Sequence, residues 1–232
     1  MTTIATICAR GGSKGLPGKN LRALRGRPLI VHTIKQALAC AAIDAVYVST
    51  DDERIARVAR DAGAEVPFLR PSHLATDYAP KVPVIEHLVS FLEARGLRAD
   101  KIVDLDVTSP LRRVEDIEAC LELLDDQTDL VITGYEAEKN PYFNMVEVDD
   151  EGLVRLCKPL SYEVVCRQQA PKVYAMNASI YVWHRRSLHL GLWGGRVRIH
   201  VMPRERSIDI DSWIDFRLVD LLMEEMEERG DR

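Results

Sequence analysis

The sequence predicts an α/β protein in which a mostly parallel sheet is covered by helices on both faces. Two observations predict this class: short apolar runs alternate with longer segments, and in the longer segments apolar residues recur at helical spacing. With 232 residues, 47% of them hydrophobic, the chain can bury the core of one domain. In such a sheet the ligand is expected at the carboxyl ends of the strands.

The first predicted element is a buried strand at 3–8, and a helix over 28–41 follows it, with Pro28 in its first turn. Asp51 or Asp52 is a natural N-cap for the second helix. The pattern then predicts, in order, a strand at 45–50, a helix at 52–64 closed by Gly63, a short strand at 65–69, a helix at about 83–94, a strand at 101–107, a helix at 114–126, a strand at 129–135 and, after an interruption, a strand at 197–202 and a helix at about 212–228.

The interruption predicts an insertion. A hairpin turning at 149–152 and a strand at 173–183 indicate an inserted antiparallel arm or small subdomain at about 136–185, within a single domain of residues 1–232. Exposed aromatic residues on this arm need a covering surface; these are Tyr142, Phe143 and Tyr174. We therefore expect a homodimer built through the arm.

The charge balance argues against two broad classes of partner. A formal net charge of −5 is unlike that of a general nucleic-acid binder or a protein of the membrane surface. No apolar stretch reaches the roughly 18 residues that span a bilayer, and the first residues do not resemble a signal peptide. We therefore expect a cytoplasmic protein. Any anion that it binds must be bound by a local cluster of cations, because the net charge is negative.

The stretch ATICARGGSKGLPGKNLRAL, residues 5–24, leads an apolar strand directly into Arg10, Lys14 and Lys19, spaced by glycines. It does not fit a P-loop, because Asn20 stands where a hydroxyl residue should follow the lysine, and it does not fit G-x-G-x-x-G. Glycines let backbone N–H groups approach an oxyanion, while the cations neutralise it. The loop predicts a nucleoside triphosphate site; a basic turn that binds no ligand is the competing interpretation.

This loop is the first of several blocks that closely resemble the acylneuraminate cytidylyltransferases, which make CMP-activated sialic acids and related nine-carbon nonulosonic acids. The blocks follow that family's order over essentially the whole chain: ARGGSKGLPGKNLRALRGRPLI, VSTDDERIARVARDAGAEVPFLRPSHLATD, TSPLR at 108–112, RQQAP at 167–171, NASIYVW at 177–183 and SIDIDSWIDF at 207–216. The resemblance implies a Rossmann-like nucleotidyltransferase fold with an inserted dimerisation region. It also implies CTP as the donor and Mg2+ as the cofactor.

The reaction implied is attack of the sugar's anomeric hydroxyl on the α-phosphorus of CTP, with release of pyrophosphate. Such a transfer needs positioning and charge neutralisation rather than an enzyme nucleophile. Resemblance and chemistry together place Arg10 and Lys19 in catalysis, and Asn20 at the ribose or α-phosphate. Arg70 resembles the residue that helps to seat the cytosine. The full nucleotide-binding set is Arg10, Gly11, Ser13, Lys14, Lys19, Asn20 and Arg70.

Asp209 and Asp211 are two residues apart, so on an extended chain both carboxylates face the same way. One hard cation could then lie between them, completed by substrate phosphates and water. By chemistry alone, the favoured interpretation is that Asp211 caps the helix that starts near Ser212, with Asp209 solvated. The resemblance favours the catalytic metal site, because the family binds its metal with an Asp-x-Asp pair.

The acceptor sugar is expected to meet a second group of side chains. Arg167 resembles the family arginine that pairs with the sugar's carboxylate, often across a dimer with shared active sites, and its planar fork suits that role. The whole substrate-binding set is Asp106, Thr108, Arg167, Gln168 and Tyr181. Many relatives have glutamine where this chain has Asp106, an acceptor-only group that changes which sugar group can be bound or joins the metal shell.

Alternatives remain open at this point. A nucleotidyltransferase of the same fold could use another base or an eight-carbon keto sugar acid, and a nucleotide-binding scaffold could lack catalysis altogether. Two further residues have provisional interpretations: Asp77 as the N-cap of the helix that begins near Lys81, and Lys81 as a contact of the nucleotide.

Overall fold

The computed structural model describes residues 1–230, and within them a six-stranded sheet runs in the order β10-β6-β9-β5-β1-β4. Only β9 is antiparallel to its neighbours, so the expectation of a mostly parallel sheet is confirmed. Two further two-stranded sheets pair β2 with β3 and β7 with β8. The strands are β1 (Thr3–Cys8), β2 (Ala23–Leu24), β3 (Arg27–Pro28), β4 (Ala45–Ser49), β5 (Lys101–Leu105), β6 (Leu130–Glu136), β7 (Val146–Val148), β8 (Val154–Leu156), β9 (Tyr174–His184) and β10 (Val197–Val201).

Helices cover both faces of the large sheet, as the sequence predicts. On one face pack α1 (Leu29–Ala39), α2 (Glu53–Asp61), α4 (Val114–Leu123) and α5 (Trp213–Glu228), and on the other α3 (Lys81–Glu93). β1 divides its side chains between the two cores: Ala5 and Ile7 face the first, and Ile4 faces the second. Successive residues of a strand point to opposite faces, so a strand buried on both sides is mostly apolar, and the buried Thr6 of β1 is accommodated by its hydrogen bond to Asp104.

Local signals set most helix starts. The Asp52 side chain accepts hydrogen bonds from the backbone N–H groups of Arg54 and Ile55, which confirms it as the N-cap of α2. Pro28 lies just before the first residue of α1 rather than inside its first turn. Residues 65–69 form only two isolated bridges to the edge of the sheet instead of a strand, because Pro67 interrupts them and has no N–H to donate.

The segment inserted into the sheet has fewer residues than the 136–185 expected from the sequence. β6 ends at Glu136 and β9 begins at Tyr174, and β9 pairs with both β5 and β6 inside the central sheet. The part that leaves the sheet is therefore residues 137–173. It carries the β7–β8 hairpin, whose turn lies between Val148 and Val154 as expected. Among all the helices of residues 1–230, none has the length and apolar character to cross a membrane.

Candidate active site

A cleft of about 430 Å³ lies at the carboxyl ends of β1 and β5. It brings together eight of the side chains expected to bind nucleotide, metal or sugar, namely Arg10, Ser13, Lys14, Lys19, Asn20, Asp106, Thr108 and Asp211. Asp77 and Tyr78, from the loop before α3, also line it. This is where ligands bind in open α/β sheets, because loops from neighbouring parallel strands converge there.

The basic loop after β1 is fixed by a contact between its two ends and by contacts with neighbouring segments. The buried Asn20 side chain donates from Nδ2 to the Arg10 carbonyl, at 2.8 Å, and ties the two ends of the loop together. At Gly15 a Cβ would collide with the backbone oxygen of Asp211, so only glycine lets the loop approach the 209–211 segment this closely. The Gly11 N–H is directed at the Asp51 carboxylate, 2.9 Å away. Part of the loop's anion-binding capacity is thus directed at Asp51.

A carboxylate of the protein itself lies among the loop cations. Arg10 Nη1 is 2.7 Å from Asp77 Oδ1, and the Lys14 ammonium pairs with the other Asp77 oxygen. The Lys14 hydrogen bond, with the charge of Arg10, holds the pKa of Asp77 below its usual range. Asp77 is not the N-cap of α3, since Pro80 occupies that position without a side-chain cap. Arg10 and Lys14 thus bind one carboxylate between them. The sequence analysis expects the same two side chains to bind a phosphate.

Lys19 joins the basic loop to the two aspartates. Its ammonium donates to the Ile210 carbonyl and lies 3.1 Å from Asp211 Oδ1. Asp211 does not cap α5: Ser212 does so, in a capping box with Asp215. The alternative role of Asp211 as a cap is therefore wrong, and its carboxylate is exposed to the cleft.

Asp209 has an oxygen that the fold leaves unpaired. Its Oδ1 is enclosed, with no hydrogen-bond partner among residues 1–230. Burial, and then the charges of Asp211 and Asp106, raise the pKa of Asp209, although Thr108 and Lys19 act against them. Within that same described part, no group of three or more His, Cys, Asp or Glu side chains can hold a metal. The protein thus offers two carboxylates, which fits a hard cation completed by phosphate oxygens and water.

A second acidic group lies at the end of β5, behind the cleft. Lys81 Nζ is 2.8 Å from Asp104 Oδ2 and 2.7 Å from Asp106 Oδ1. Asp104 is fully buried, and its other oxygen accepts a hydrogen bond from Thr6. The ammonium also lies 4.7 Å from the centre of the Tyr181 ring. Sequence reasoning missed Asp104, although an acid inside a buried strand is a signal that a partner exists.

Arg112 is a further residue that the sequence analysis quoted but did not place. Its buried guanidinium donates to the carbonyls of Ser109, at 3.0 Å, of Ser179, at 2.7 Å, and of Asp106. Burial lowers the pKa of Arg112 to about 10. It holds the loop after β5 against β9 and so sets the position of Asp106 and Thr108.

With this geometry in hand, comparison with known proteins decides the family. The family model described as "Cytidylyltransferase" matches residues 4–228. The chain belongs to the cytidylyltransferase family. It is accordingly an enzyme of the nucleotidyltransferase type, and the resemblance seen in the sequence is confirmed.

Two relatives and one solved structure extend the match over whole chains. The chain is 39% identical to the post-translational flagellin modification protein B of Campylobacter coli, covering 96% of this chain and 95% of that one. It is 38% identical to the CMP-N,N'-diacetyllegionaminic acid synthase of Campylobacter jejuni, covering 95% and 94%. The structure of a CMP:2-keto-3-deoxy-manno-octonic acid synthetase complexed with CTP aligns with TM-score 0.72 and 20% identity, over 97% and 99% of the two chains. At that identity the structural match shows a shared fold.

Six of the residues predicted for this cytidylyltransferase lie outside the lining of the cleft: Gly11, Asp209, Arg70, Tyr181, Arg167 and Gln168. Gly11 and Asp209 were placed above, by the Asp51 contact and by the enclosed Oδ1. Arg70 is buried and turned toward the end of β4, where it donates to the side chain and carbonyl of Ser49. Tyr181 is buried beneath Lys81. Arg167 and Gln168 lie in a short turn of the insertion, and Arg167 donates to the Ala137 carbonyl. The single chain thus leaves the last two away from its own cleft.

Proposed function

We propose that this protein transfers CMP from CTP to the anomeric hydroxyl of a nonulosonic sugar acid and releases pyrophosphate. One observation carries the proposal: the cleft is lined both by three cations of one loop and by the residues that follow the carboxyl end of β5. The relatives named above support the choice of sugar acid, since one of them is a CMP-N,N'-diacetyllegionaminic acid synthase.

The cations of the loop do the electrostatic part of this work. Negative charge develops on the phosphate oxygens and on the leaving pyrophosphate, and positioned cations in a partly enclosed site stabilise it. Arg10 and Lys14 hold an oxyanion already, in Asp77, and CTP binding would exchange that carboxylate for phosphate oxygens. Lys19 has little room to move because Asn20 and Ile210 fix the loop around it.

Asp209 and Asp211 would hold the Mg2+ that the chemistry calls for. When bound, such a cation polarises phosphoryl oxygens and helps to orient the triphosphate. The unpaired, enclosed oxygen of Asp209 and the exposed carboxylate of Asp211 support this assignment. Lys19 contacts Asp211 and would release it, at least in part, when a cation binds.

We also propose a homodimer built through the insertion, with Arg167 and Gln168 contributing to the acceptor site of the partner. The β7–β8 hairpin supports it: both faces are solvent-exposed, yet it carries several apolar side chains, namely Met145, Val146, Val148, Leu153, Val154 and Leu156. An isolated two-stranded hairpin is marginally stable in water, so a covering surface is needed. Light scattering on the wild type and on Val148→Lys should give a dimer and a monomer; two monomers would contradict the proposal.

The first experiment measures pyrophosphate release with CTP and Mg2+ against N-acetylneuraminic, N,N'-diacetyllegionaminic, pseudaminic, deaminated neuraminic and 3-deoxy-octulosonic acids. We expect the reaction to require CTP, Mg2+ and a nine-carbon acid, and chelation to abolish it. Turnover with the eight-carbon acid or with another nucleotide would favour the same fold with other substrates. A rise in Tm with CTP but no turnover with any acid would favour a scaffold without catalysis.

We also propose that the reaction takes place in the cytoplasm, because CTP is a cytoplasmic metabolite.

A further inference from the structure

Lys81 forms two ion pairs that have no role in the proposed reaction as described so far. Its ammonium bridges Asp104 and Asp106 at the end of β5. Asp104 has both oxygens satisfied, one by Lys81 and the other by Thr6. Asp106 has only one oxygen so occupied, and no donor from residues 1–230 reaches the other. About a fifth of the Asp106 side chain is exposed, and it lines the cleft.

The position of Lys81 in the helix argues for a role beyond helix stability. It is the first residue of α3, and the first turn has no acidic residue. A cation at a helix N-terminus lies against the positive end of the helix dipole, where it is unfavourable. Burial works to lower the pKa of Lys81, but the charges of Asp104 and Asp106 raise it well above its usual value. The ammonium therefore stays charged for its two carboxylate partners.

Asp106 is held from both its ends. Lys81 fixes the carboxylate, and the Lys81 ammonium in turn lies over the Tyr181 ring. The buried Arg112 fixes the backbone, because it donates to the Asp106 carbonyl. Contacts with Lys81 and Arg112 therefore hold both the carboxylate and the backbone of Asp106, which lines the cleft together with Thr108.

We propose that Lys81 is a positioning residue that fixes Asp106 as an acceptor-only carboxylate in the sugar subsite. The enzyme then selects sugar acids that present a hydrogen-bond donor there, an acylamino N–H or a hydroxyl. A carboxylate can only accept, and a sugar that offers it no donor would leave a desolvated charge unpaired. This inference rests on the proposed function, since it concerns the acceptor of that reaction.

The test uses steady-state kinetics of Lys81→Met, Asp106→Asn and the double variant, with the preferred sugar acid and CTP varied separately. Asp106→Asn keeps the shape but lets the group donate, so the KM for the sugar acid should rise roughly tenfold or more, as for a lost hydrogen bond to a charge. Lys81→Met should do the same. The KM for CTP should change by less than about twofold, because neither residue touches the loop cations.

Non-additivity distinguishes positioning from an independent effect. If Lys81 acts through Asp106, the double variant should be no worse than the more impaired single variant, whereas independent effects would multiply. Lys81→Arg should restore part of the sugar affinity because it keeps the charge. Lys101→Met, at the opposite end of β5, is the matched control and should behave as wild type.

Folding is a concern for Lys81→Met and for the double variant, since both leave Asp104 buried with only Thr6 as a partner. Asp106→Asn keeps the Lys81–Asp104 pair and so tests the subsite even if Lys81→Met fails to fold. An unchanged sugar KM in Asp106→Asn would overturn the inference. A raised requirement for Mg2+ with an unchanged sugar KM would also overturn it, and would make Asp106 a metal ligand.

The two levels of proposal fail in different ways. A wild-type protein that releases no pyrophosphate with any sugar acid overturns the proposed function, and this inference falls with it. A wild type that turns over, while the Asp106 and Lys81 variants keep its sugar KM, overturns this inference and leaves the proposed function intact.

Discussion

Two carboxylates at the two ends of the loop after β5, the buried Asp116 and the partly exposed Asp106, differ in how many partners the fold gives them. Asp116, in the first turn of α4, accepts from the Arg113 N–H through one oxygen and from Arg206 and His200 through the other. Asp106 shares its ammonium partner with a second carboxylate and lines the cleft. Both oxygens of Asp116 therefore have hydrogen-bond partners within the protein. Asp106 has a partner for one oxygen, and the other is left for a ligand.

The direction of the pKa shift follows this difference. Burial works to raise the pKa of Asp116, but the hydrogen bonds from His200, the Arg113 N–H and Arg206 outweigh it and hold that pKa low. Burial likewise raises the pKa of Asp106, the charge of Asp104 adds to it, and Lys81 only partly offsets both. A carboxylate with a lowered pKa stabilises the native state, while one with a raised pKa costs stability. Asp209, with an unpaired oxygen and a raised pKa, belongs with Asp106.

The largest effect that sharpens this comparison is expected from Asp209→Asn. Pyrophosphate release should fall by roughly a hundredfold or more, as when one group that stabilises transition-state charge is removed. Tm should stay the same or rise, because a partly buried charge with no hydrogen bond to one oxygen is removed. Enzyme assays and thermal melting of one preparation would check both. Parallel losses of activity and Tm would make Asp209 structural, like Asp116.

Asp116→Asn should show the opposite pattern. Removing a buried charge that three donors satisfy leaves the partly exposed Arg206 without its carboxylate, at a cost of about 1–3 kcal/mol in the free energy of unfolding. kcat and both KM values of the folded variant should lie within about twofold of wild type. Urea unfolding gives the first quantity and initial rates give the second. Stability equal to that of wild type would remove the basis of the comparison.

The stabilisation by Asp116 should depend on pH in a stated direction. Because its pKa is lower in the folded state, its contribution is complete above the unfolded pKa, about 3.9, and is lost as pH falls through the folded pKa. The difference in unfolding free energy between wild type and Asp116→Asn should therefore be constant from about pH 7 to pH 5 and shrink below about pH 4. A difference that grows on acidification would reverse the sign assigned to this group.

The smallest effect is expected from Asp77→Asn, at an exposed carboxylate that competes for the phosphate-loop cations. Its pairs with Arg10 and Lys14 must break before these cations bind CTP, and exposed pairs contribute little. The KM for CTP should fall about two- to fivefold with an unchanged KM for the sugar acid. Arg229→Gln, which breaks an exposed pair with Glu225 at the end of α5, is the control. A higher KM for CTP would mean that Asp77 orders the loop for the nucleotide.

Local patterns were enough for most of the fold and for part of the site. The Asp52 cap, the apolar run of β1 and the amphipathic α5 lie in contiguous residues, so each could be predicted from its own segment. The cations of the loop at 10–19 were proposed from one short stretch after a strand, whereas the metal role of Asp209 and Asp211 was proposed from the family resemblance and stays a prediction. Asp211 as a cap was excluded only by the capping box of Ser212.

Contacts between distant segments had no such signal. β9 follows a long insertion yet lies antiparallel between β5 and β6, so it pairs with strands about 40 and 80 residues earlier in the chain. Lys81 lies 25 residues from Asp106, and nothing in either segment indicates that they meet. Asp77 looked like a cap and is instead a counter-ion of the basic loop.

The amino-acid sequence by itself determined which segments are strands and helices and which loop carries the anion-binding cations, because periodicity, caps and glycines act over a few residues. Only the tertiary structure decided which carboxylates are satisfied and which are left for a ligand. That distinction depends on burial and on partners brought from far along the chain, and both arise only when the sheet is complete.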